Sequence, residues 1–362
     1  MTAVHQFVPA LVARDAIGAH TLQVQRVLRE LGYASDLFVD HTDLTGRADV
    51  HPYRQFDEHS RDPNTFLLYQ GSTGSPMARF LAERPEPAIV NYHNITPPEF
   101  FEPWEPSVTM VLEAGYRQIE ELGPRTVLGI ADSEYNAGDL RRLGYGATAV
   151  VPILYDPANH DAAPDPATLH RLEAERAGGG SDWLFVGRLC PNKAQHDLVK
   201  AFAAYRVAFD PGARLHLVGG SSSHLYETCL QAFTHEIGCG DAVRFAGSVT
   251  PGELSAHYRV ADVFVCLSRH EGFGVPLLEA MHHDVPIVAL RATAVPETVG
   301  DAGVLVPTST PALVAAAVER VHADPDLRAG LQAAGRRRLA HFDQAAGRER
   351  FAAAIGDVCG AP

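Results

Sequence analysis

At 362 residues, 46% hydrophobic and 20% charged, the chain is long enough for about two domains with separate cores and has the composition of a globular protein. A formal net charge of −14 excludes nucleic acid as the main partner and a strongly basic membrane-docking face, leaving room for a local patch at a membrane surface. No apolar run reaches the roughly 18 residues of a membrane span, Met1–Ala10 carries no basic leader ahead of a long apolar stretch, and the five cysteines form no Cys-x-x-Cys pair; the expected setting is a reducing cytoplasm, without disulfide framework or zinc site.

Apolar, strand-like runs alternate with helical patterns from end to end. In the first half the strand candidates are Val4–Val8, Asp36–Val39, Phe66–Tyr69, Ala88–Tyr92, Val127–Ala131 and Thr148–Val151. Between the first two, Val24, Val27, Leu28 and Leu31 recur at i, i+3, i+4, i+7 and predict one apolar face of a helix over Gly18–Leu31. A connection rich in Pro, Asp and Gly follows Tyr155 and marks a domain boundary. Trp183–Val186, Arg214–Val218, Val243–Phe245, Val263–Leu267, Pro286–Leu290 and Gly303–Val306 then read as strands, with helices such as Ala194–Tyr205 and Pro251–Val260 between them. Near-continuous apolar strands with helical crossovers imply parallel sheets covered on both faces. The expected fold is α/β, two Rossmann-like doubly wound domains facing a central cleft, with ligands at the carboxyl ends of the strands. The domains are 1–155 and 156–340, and a last helix in 341–362 crosses back onto the first.

The segment Ser268-Arg-His-Glu-Gly-Phe-Gly-Val-Pro-Leu-Leu-Glu279 follows a predicted strand and opens a helix. Gly272 and Gly274 permit a tight turn and close approach of a ligand, and Pro276 suits the first helical turn. Such a turn offers N–H groups to a phosphate. From spacing alone a plainer reading stands beside this one: Glu279 complements the helix dipole and Glu271 is a solvated loop acid. Arg188 and Lys193 lie just past another strand, where cations meet ligands in open α/β sheets, or are surface cations and nothing more.

This segment resembles the Glu-x7-Glu signature of retaining glycosyltransferases of family 4, which have the GT-B fold. Phe185-Val-Gly-Arg-Leu-Cys-Pro-Asn-Lys193 resembles the family's donor-phosphate loop, Phe245-Ala-Gly-Ser-Val249 its base-binding strand end, and Pro296–Gly303 the stretch after the site. The resemblance covers nearly all of 183–340. It implies a nucleoside diphosphate sugar bound between the domains, a hydroxyl acceptor (a glycan, a lipid-linked glycan or a small metabolite), and transfer of a hexose-type sugar with retention, needing neither cofactor nor metal. It places Glu271 at the transferred sugar, the backbone of Gly272, Phe273, Gly274 and Val275 at sugar and phosphate, Glu279 at the ribose, and Gly187, Arg188 and Lys193 at the diphosphate. Val249 would lie by the base. His93, at the end of Ala88–Tyr92, would contact the donor sugar, and Gly18, in the turn Asp15–His20, the donor phosphate; there the family's paired glycines are reduced to one. Acceptor contacts are expected from Asp43–Pro63 and Thr96–Pro106. Two rival functions stay open: a sugar-nucleotide epimerase on the same fold, and a non-catalytic nucleotide-sugar-binding protein.

Three further signals carry no site. Asp324-Pro-Asp326 resembles a metal-binding Asp-x-Asp but lies between helical patterns, where a turn and cap are expected. Leu217-Val-Gly-Gly-Ser does not complete a dinucleotide fingerprint. His282 and His283 are adjacent on a helix and do not face one another.

Overall fold

The computed structural model describes residues 2–12, 16–44, 46–60 and 64–360. The chain divides into two compact units: Met1–Glu99 with Ser107–Tyr155 and Phe342–Pro362, and Phe100–Pro106 with Asp156–His341. The first holds β1 (Ala3–Leu11), β2 (Leu37–Thr42), β3 (Val50–Pro52), β4 (Thr65–Gly71), β5 (Ala88–Tyr92), β6 (Thr126–Ala131) and β7 (Thr148–Val150), and the second β8 (Asp182–Val186), β9 (Arg214–Val218), β10 (Val243–Gly247), β11 (Val263–Cys266), β12 (Ile287–Leu290) and β13 (Gly303–Val306). The sheet orders are β3-β2-β1-β4-β5-β6-β7 and β10-β9-β8-β11-β12-β13, and the ladders are parallel. Both units are Rossmann-like and doubly wound, as expected.

In each sheet the order reverses once, between β1 and β4 in the first unit and between β8 and β11 in the second. The loops leaving the two strands at such a point run in opposite directions, and their divergence opens a crevice at the carboxyl ends.

The helix Ala16–Glu30 buries Val24, Val27 and Leu28 against β1 and β4, in a cluster that also takes Phe351 and Ile355 from the helix Gln344–Cys359. Leu31, placed on this face by periodicity, is 36% exposed: the helix ends at Glu30 and Gly32 turns the chain with φ 98°. The second core is built on Trp183, Phe185, Phe202 and Tyr205. At its base the Asp182 carboxylate takes two bonds from the Arg214 guanidinium, at 2.7 and 2.9 Å, and one from His216 Nε2 at 3.0 Å.

Two sequence assignments need correction. β3 lies inside Asp43–Pro63, read as a loop; it has three residues, ends on Pro52 and, among the described residues, pairs only with β2. Thr45 and residues 61–63 of that loop, and Asp15 of the first turn, lie outside the described residues. Phe100–Pro106, allotted to the first domain and to an acceptor loop, clusters with the second unit: Trp104 meets the Tyr226 ring edge-on at 5.0 Å, and the Glu105 carboxylate accepts from Ser223 Oγ at 2.7 Å.

The C-terminal helix is part of the first core, so Phe351→Ala should destabilise that unit by about 3–5 kcal/mol, the usual loss for a buried Phe cut to Ala. Urea unfolding followed by a probe in the first unit checks this; a loss below about 1 kcal/mol would show the helix to be loosely attached.

Candidate functional site

The second unit's crevice is lined by the loops after β8 and β11. After β8 the chain passes Gly187 and the exposed Arg188, then makes a single turn, Pro191–Lys193, and enters the helix Gln195–Ala208 through Ala194 at φ 51°. The loop after β11 is bonded to this turn: Arg269 N–H donates to the Asn192 carbonyl at 2.8 Å, and Asn192 Nδ2 to the His270 carbonyl at 3.2 Å. These two bonds bring Lys193 Nζ to 2.5 Å from Glu271 Oε2, with the side chains 19% and 12% exposed. Burial works against the ammonium, but the Glu271 carboxylate beside it raises the Lys193 pKa above its ordinary value. Glu271 is therefore a paired, half-buried acid and not a solvated one.

Gly274 follows with φ 89°, a left-handed conformation costly for any side chain, and a Cβ there would meet Leu277 Cδ1 at 2.9 Å. It is the N-cap of the helix Val275–His282 and brings no capping side chain, so the positive end of the helix faces the crevice. Gly272, Phe273 and Val275 lie in this same turn. One helical turn on, Glu279 is 8% exposed. Tyr258 Oη donates to its Oε2 at 2.8 Å and His160 Nδ1 lies 3.3 Å from its Oε1. Burial pushes the Glu279 carboxyl up, opposed by the Tyr258 bond. A buried acid against a neutral phenol does more than complement a helix dipole. Val249 is half-buried, in the loop after β10 and ahead of the Thr250 capping box.

The signals set aside have local explanations. Asp324 Oδ1 accepts from Leu327 N–H at 3.0 Å, a helix cap. His283 stacks on Tyr258 with centroids 4.7 Å apart, and His282 bonds Asp161 at 2.9 Å. Gly220, at the end of Leu217-Val-Gly-Gly, receives Leu189 N–H on its carbonyl at 2.8 Å, joining the loops after β8 and β9.

The first unit's crevice is filled from within. His93 lies at the end of β5 as predicted, but its side chain is 2% exposed. Its Nδ1 lies 3.0 Å from Asp132 Oδ2 and its Nε2 2.6 Å from Gln70 Oε1. Gln70 Nε2 donates to Gln6 Oε1 at 2.7 Å and Gln6 Nε2 to the Thr21 carbonyl at 3.1 Å, while Asn91 Nδ2 donates to Gln70 Oε1 at 3.1 Å and meets His20 Nε2 at 3.2 Å. Burial, helped by His93, holds the His20 pKa well below its usual value. This network supports the ends of β1, β4 and β5; in this arrangement both His93 nitrogens are engaged. Gly18 is buried in the first helical turn, where a Cβ would lie 2.4 Å from the Val12 carbonyl oxygen, so packing alone requires glycine.

The residues that sequence reasoning missed are Asn192, Tyr258, His160, Thr293 and the polar network behind His93. The Glu271 N–H donates to Thr293 Oγ1 at 2.9 Å, and Thr298 Oγ1 donates to the Phe273 carbonyl at 2.6 Å. Neither threonine stands in a pattern that separates it from a structural one.

Solved structures share this architecture. Sucrose-phosphate synthase from Thermosynechococcus elongatus aligns over 100% of both chains with a TM-score of 0.77 and 19% identity. Anabaena HepE, crystallised with UDP and glucose, aligns over 98% of this chain and 100% of its own with a TM-score of 0.74 and 17% identity. Such likeness is of fold, and with the two doubly wound sheets it places the chain in the GT-B fold class.

Within that class, residues 171–338, which carry Lys193, Glu271, Glu279 and Thr293, match the family model of glycosyl transferases group 1. Over 183 residues, 48% of this chain and 46% of the relative, the chain is 37% identical to the GDP-mannose-dependent alpha-(1-6)-phosphatidylinositol monomannoside mannosyltransferase of Mycobacterium tuberculosis. Over 253 residues, 66% of this chain and 54% of the relative, it is 32% identical to the D-inositol 3-phosphate glycosyltransferase of Streptomyces bingchenggensis. The chain spans about half the length of these curated relatives. No helix among the described residues is long and apolar enough to cross a membrane.

Because the Lys193–Glu271 pair is largely buried, Lys193→Ala should cost about 3 kcal/mol of stability, the penalty of leaving one partner of such a pair alone. Lys193→Ala combined with Glu271→Gln should cost less than the two single changes added together. Additive losses in urea unfolding would show that the pair is not coupled.

Proposed function

We propose that the chain is a retaining glycosyltransferase of the family 4 kind, moving a hexose-type sugar from a nucleoside diphosphate sugar to a hydroxyl acceptor without metal or cofactor. The observation that carries this is the meeting, at the second unit's switch point, of the Lys193–Glu271 pair and the Gly274-headed helix, inside the segment that matches the group 1 family. The names of the relatives favour transfer over epimerisation, and the paired cation and two distinct carboxylates favour turnover over mere binding. GDP-mannose and UDP-glucose are the donors to test first, and inositol-type hydroxyls the first acceptors.

In this reading Lys193, Arg188 and the N–H groups at the Gly274 turn meet the diphosphate as negative charge grows on it. Glu271 faces the transferred sugar and Glu279 accepts from the ribose hydroxyls. The bond from the anomeric carbon to the phosphate oxygen breaks while the acceptor oxygen bonds to the same face, and the hydroxyl proton passes to the leaving phosphate. His93, its ring nitrogens both engaged, acts here by shaping the ends of β4 and β5.

The test is binding and turnover on the same protein. A cognate nucleoside diphosphate at 100 times its Kd should add about 2.7 kcal/mol to stability. Glu279→Ala should weaken its binding about 10- to 100-fold. Glu271→Gln should leave that binding within about twofold yet remove most release of nucleotide from the donor sugar, with EDTA present throughout. Activity that EDTA abolishes and magnesium restores would overturn metal independence, and the reverse pattern of the two variants would exchange their roles.

The buried Glu279 also sets a pH dependence. Its carboxylate form is the one that accepts ribose hydroxyls, and its folded-state pKa lies above the ordinary range because of burial. Nucleotide affinity should therefore be full at about pH 8 and fall as pH drops through that raised value. Tyr258→Phe removes the bond that opposes the rise, so the fall should begin at higher pH. Calorimetry across this range decides it, with His160→Gln as the control for the neighbouring imidazole; an unmoved midpoint in Tyr258→Phe would remove Tyr258 from the mechanism.

A further inference from the structure

We infer that Thr293 is a positioning residue for Glu271, held in a strained backbone conformation so that its hydroxyl fixes the acidic loop. The inference rests on the proposed role of Glu271 at the transferred sugar. Thr293 has φ 47°, a left-handed conformation in which a β-branched residue is a genuine outlier. Such strain persists where the surroundings over-determine it, and it clusters at functional sites.

The surroundings here do over-determine it. Arg291 N–H donates to the Val306 carbonyl at 2.9 Å, Ala292 N–H to Leu290 at 2.9 Å and Val295 N–H to Ala292 at 3.0 Å, which fixes the turn between β12 and the helix Val295–Val299. Glycine would adopt this conformation freely, yet glycine has no oxygen to offer. The threonine does: its Oγ1 takes the Glu271 N–H at 2.9 Å. The contact is reciprocal, since Ala294 N–H points back to the Glu271 carbonyl at 3.4 Å.

The peptide of Glu271 is thus held by the 293–294 turn, and its carboxylate by Lys193. Two residues on, Thr298 Oγ1 takes hold of the Phe273 carbonyl at 2.6 Å. Two threonine hydroxyls on one short stretch fix the acidic loop at alternate residues, on either side of Gly272. Thr298 bonds within reach of its own helix as well, to Ala294 at 3.4 Å, and has an ordinary structural reading. Thr293 has none, because its conformation is unfavourable and its hydroxyl goes to the residue proposed to face the sugar.

The experiment uses the full chain and compares Thr293→Gly, Thr293→Val and Thr293→Ser. Readouts are release of nucleotide from GDP-mannose and UDP-glucose, calorimetric binding of GDP and UDP, thermal stability, and hydrogen exchange at the Glu271 amide. Thr293→Gly should be at least as stable as the parent, because the strain is relieved. It should nonetheless exchange the Glu271 amide about tenfold faster and lose about tenfold in kcat, with nucleotide Kd unchanged within about twofold. Thr293→Ser, which keeps the oxygen, should restore both exchange protection and kcat, and Thr293→Val should not. Parental kcat and exchange in Thr293→Gly would overturn the inference while leaving the function intact, provided Glu271→Gln is inactive. A parent protein that binds and cleaves no nucleotide sugar would instead overturn the function on which the inference rests.

Discussion

The ion pair between Lys193 and Glu271 spans the point at which the second sheet reverses its order, and the site depends on it. β8 and β11 are neighbours, but their outgoing loops diverge, one toward β9 and the other toward β12. Divergence alone would leave two independent loops with opposite charges in partial burial, each paying for its own desolvation. The 2.5 Å contact offsets that cost for both, and the two bonds made by Asn192 to Arg269 and His270 fix the register in which it forms. The ammonium and the carboxylate are therefore desolvated, oriented and balanced together.

The first unit meets the same topological problem with a network of hydrogen-bonded side chains. Its reversal between β1 and β4 is filled by the Gln6, Gln70, Asn91, His20 and His93 side chains, bonded to one another and anchored on the Thr21 carbonyl and Asp132. A network of this kind is rigid because each member is a partner of the next. The second unit's crevice instead carries an ion pair and a helix N-terminus without a capping side chain.

Most of the architecture was legible because parallel strands buried on both faces must be apolar throughout. Runs such as Trp183–Val186 and Val263–Leu267 are that, and both mark strands. β3 was not legible, since three residues ending in proline at a sheet edge carry no pattern. Phe100–Pro106 was misallotted because chain order suggests one domain while Trp104 packs on Tyr226 in the other unit. At the site, the glycine turn and both glutamates stood out as residue types. Their partners did not: Lys193 and Glu271 are 78 positions apart, and only the fold says that they touch. Thr293 was invisible for a different reason, because its significance lies in a φ angle that its side-chain type argues against.

The two glutamates show what the turn between them accomplishes. Glu271 precedes Gly274 and faces a cation; Glu279 follows it, inside the helix, against Tyr258. Eight residues of continuous helix would put two such acids on nearly the same face, in one environment. The left-handed Gly274 breaks that regularity and lets one strand-end segment present an acid paired with charge and another held by a neutral hydroxyl. Environments that differ so strongly allow two carboxylates of identical chemistry to take different tasks. Substituting Gly274 would therefore disturb both environments along with the helix end between them.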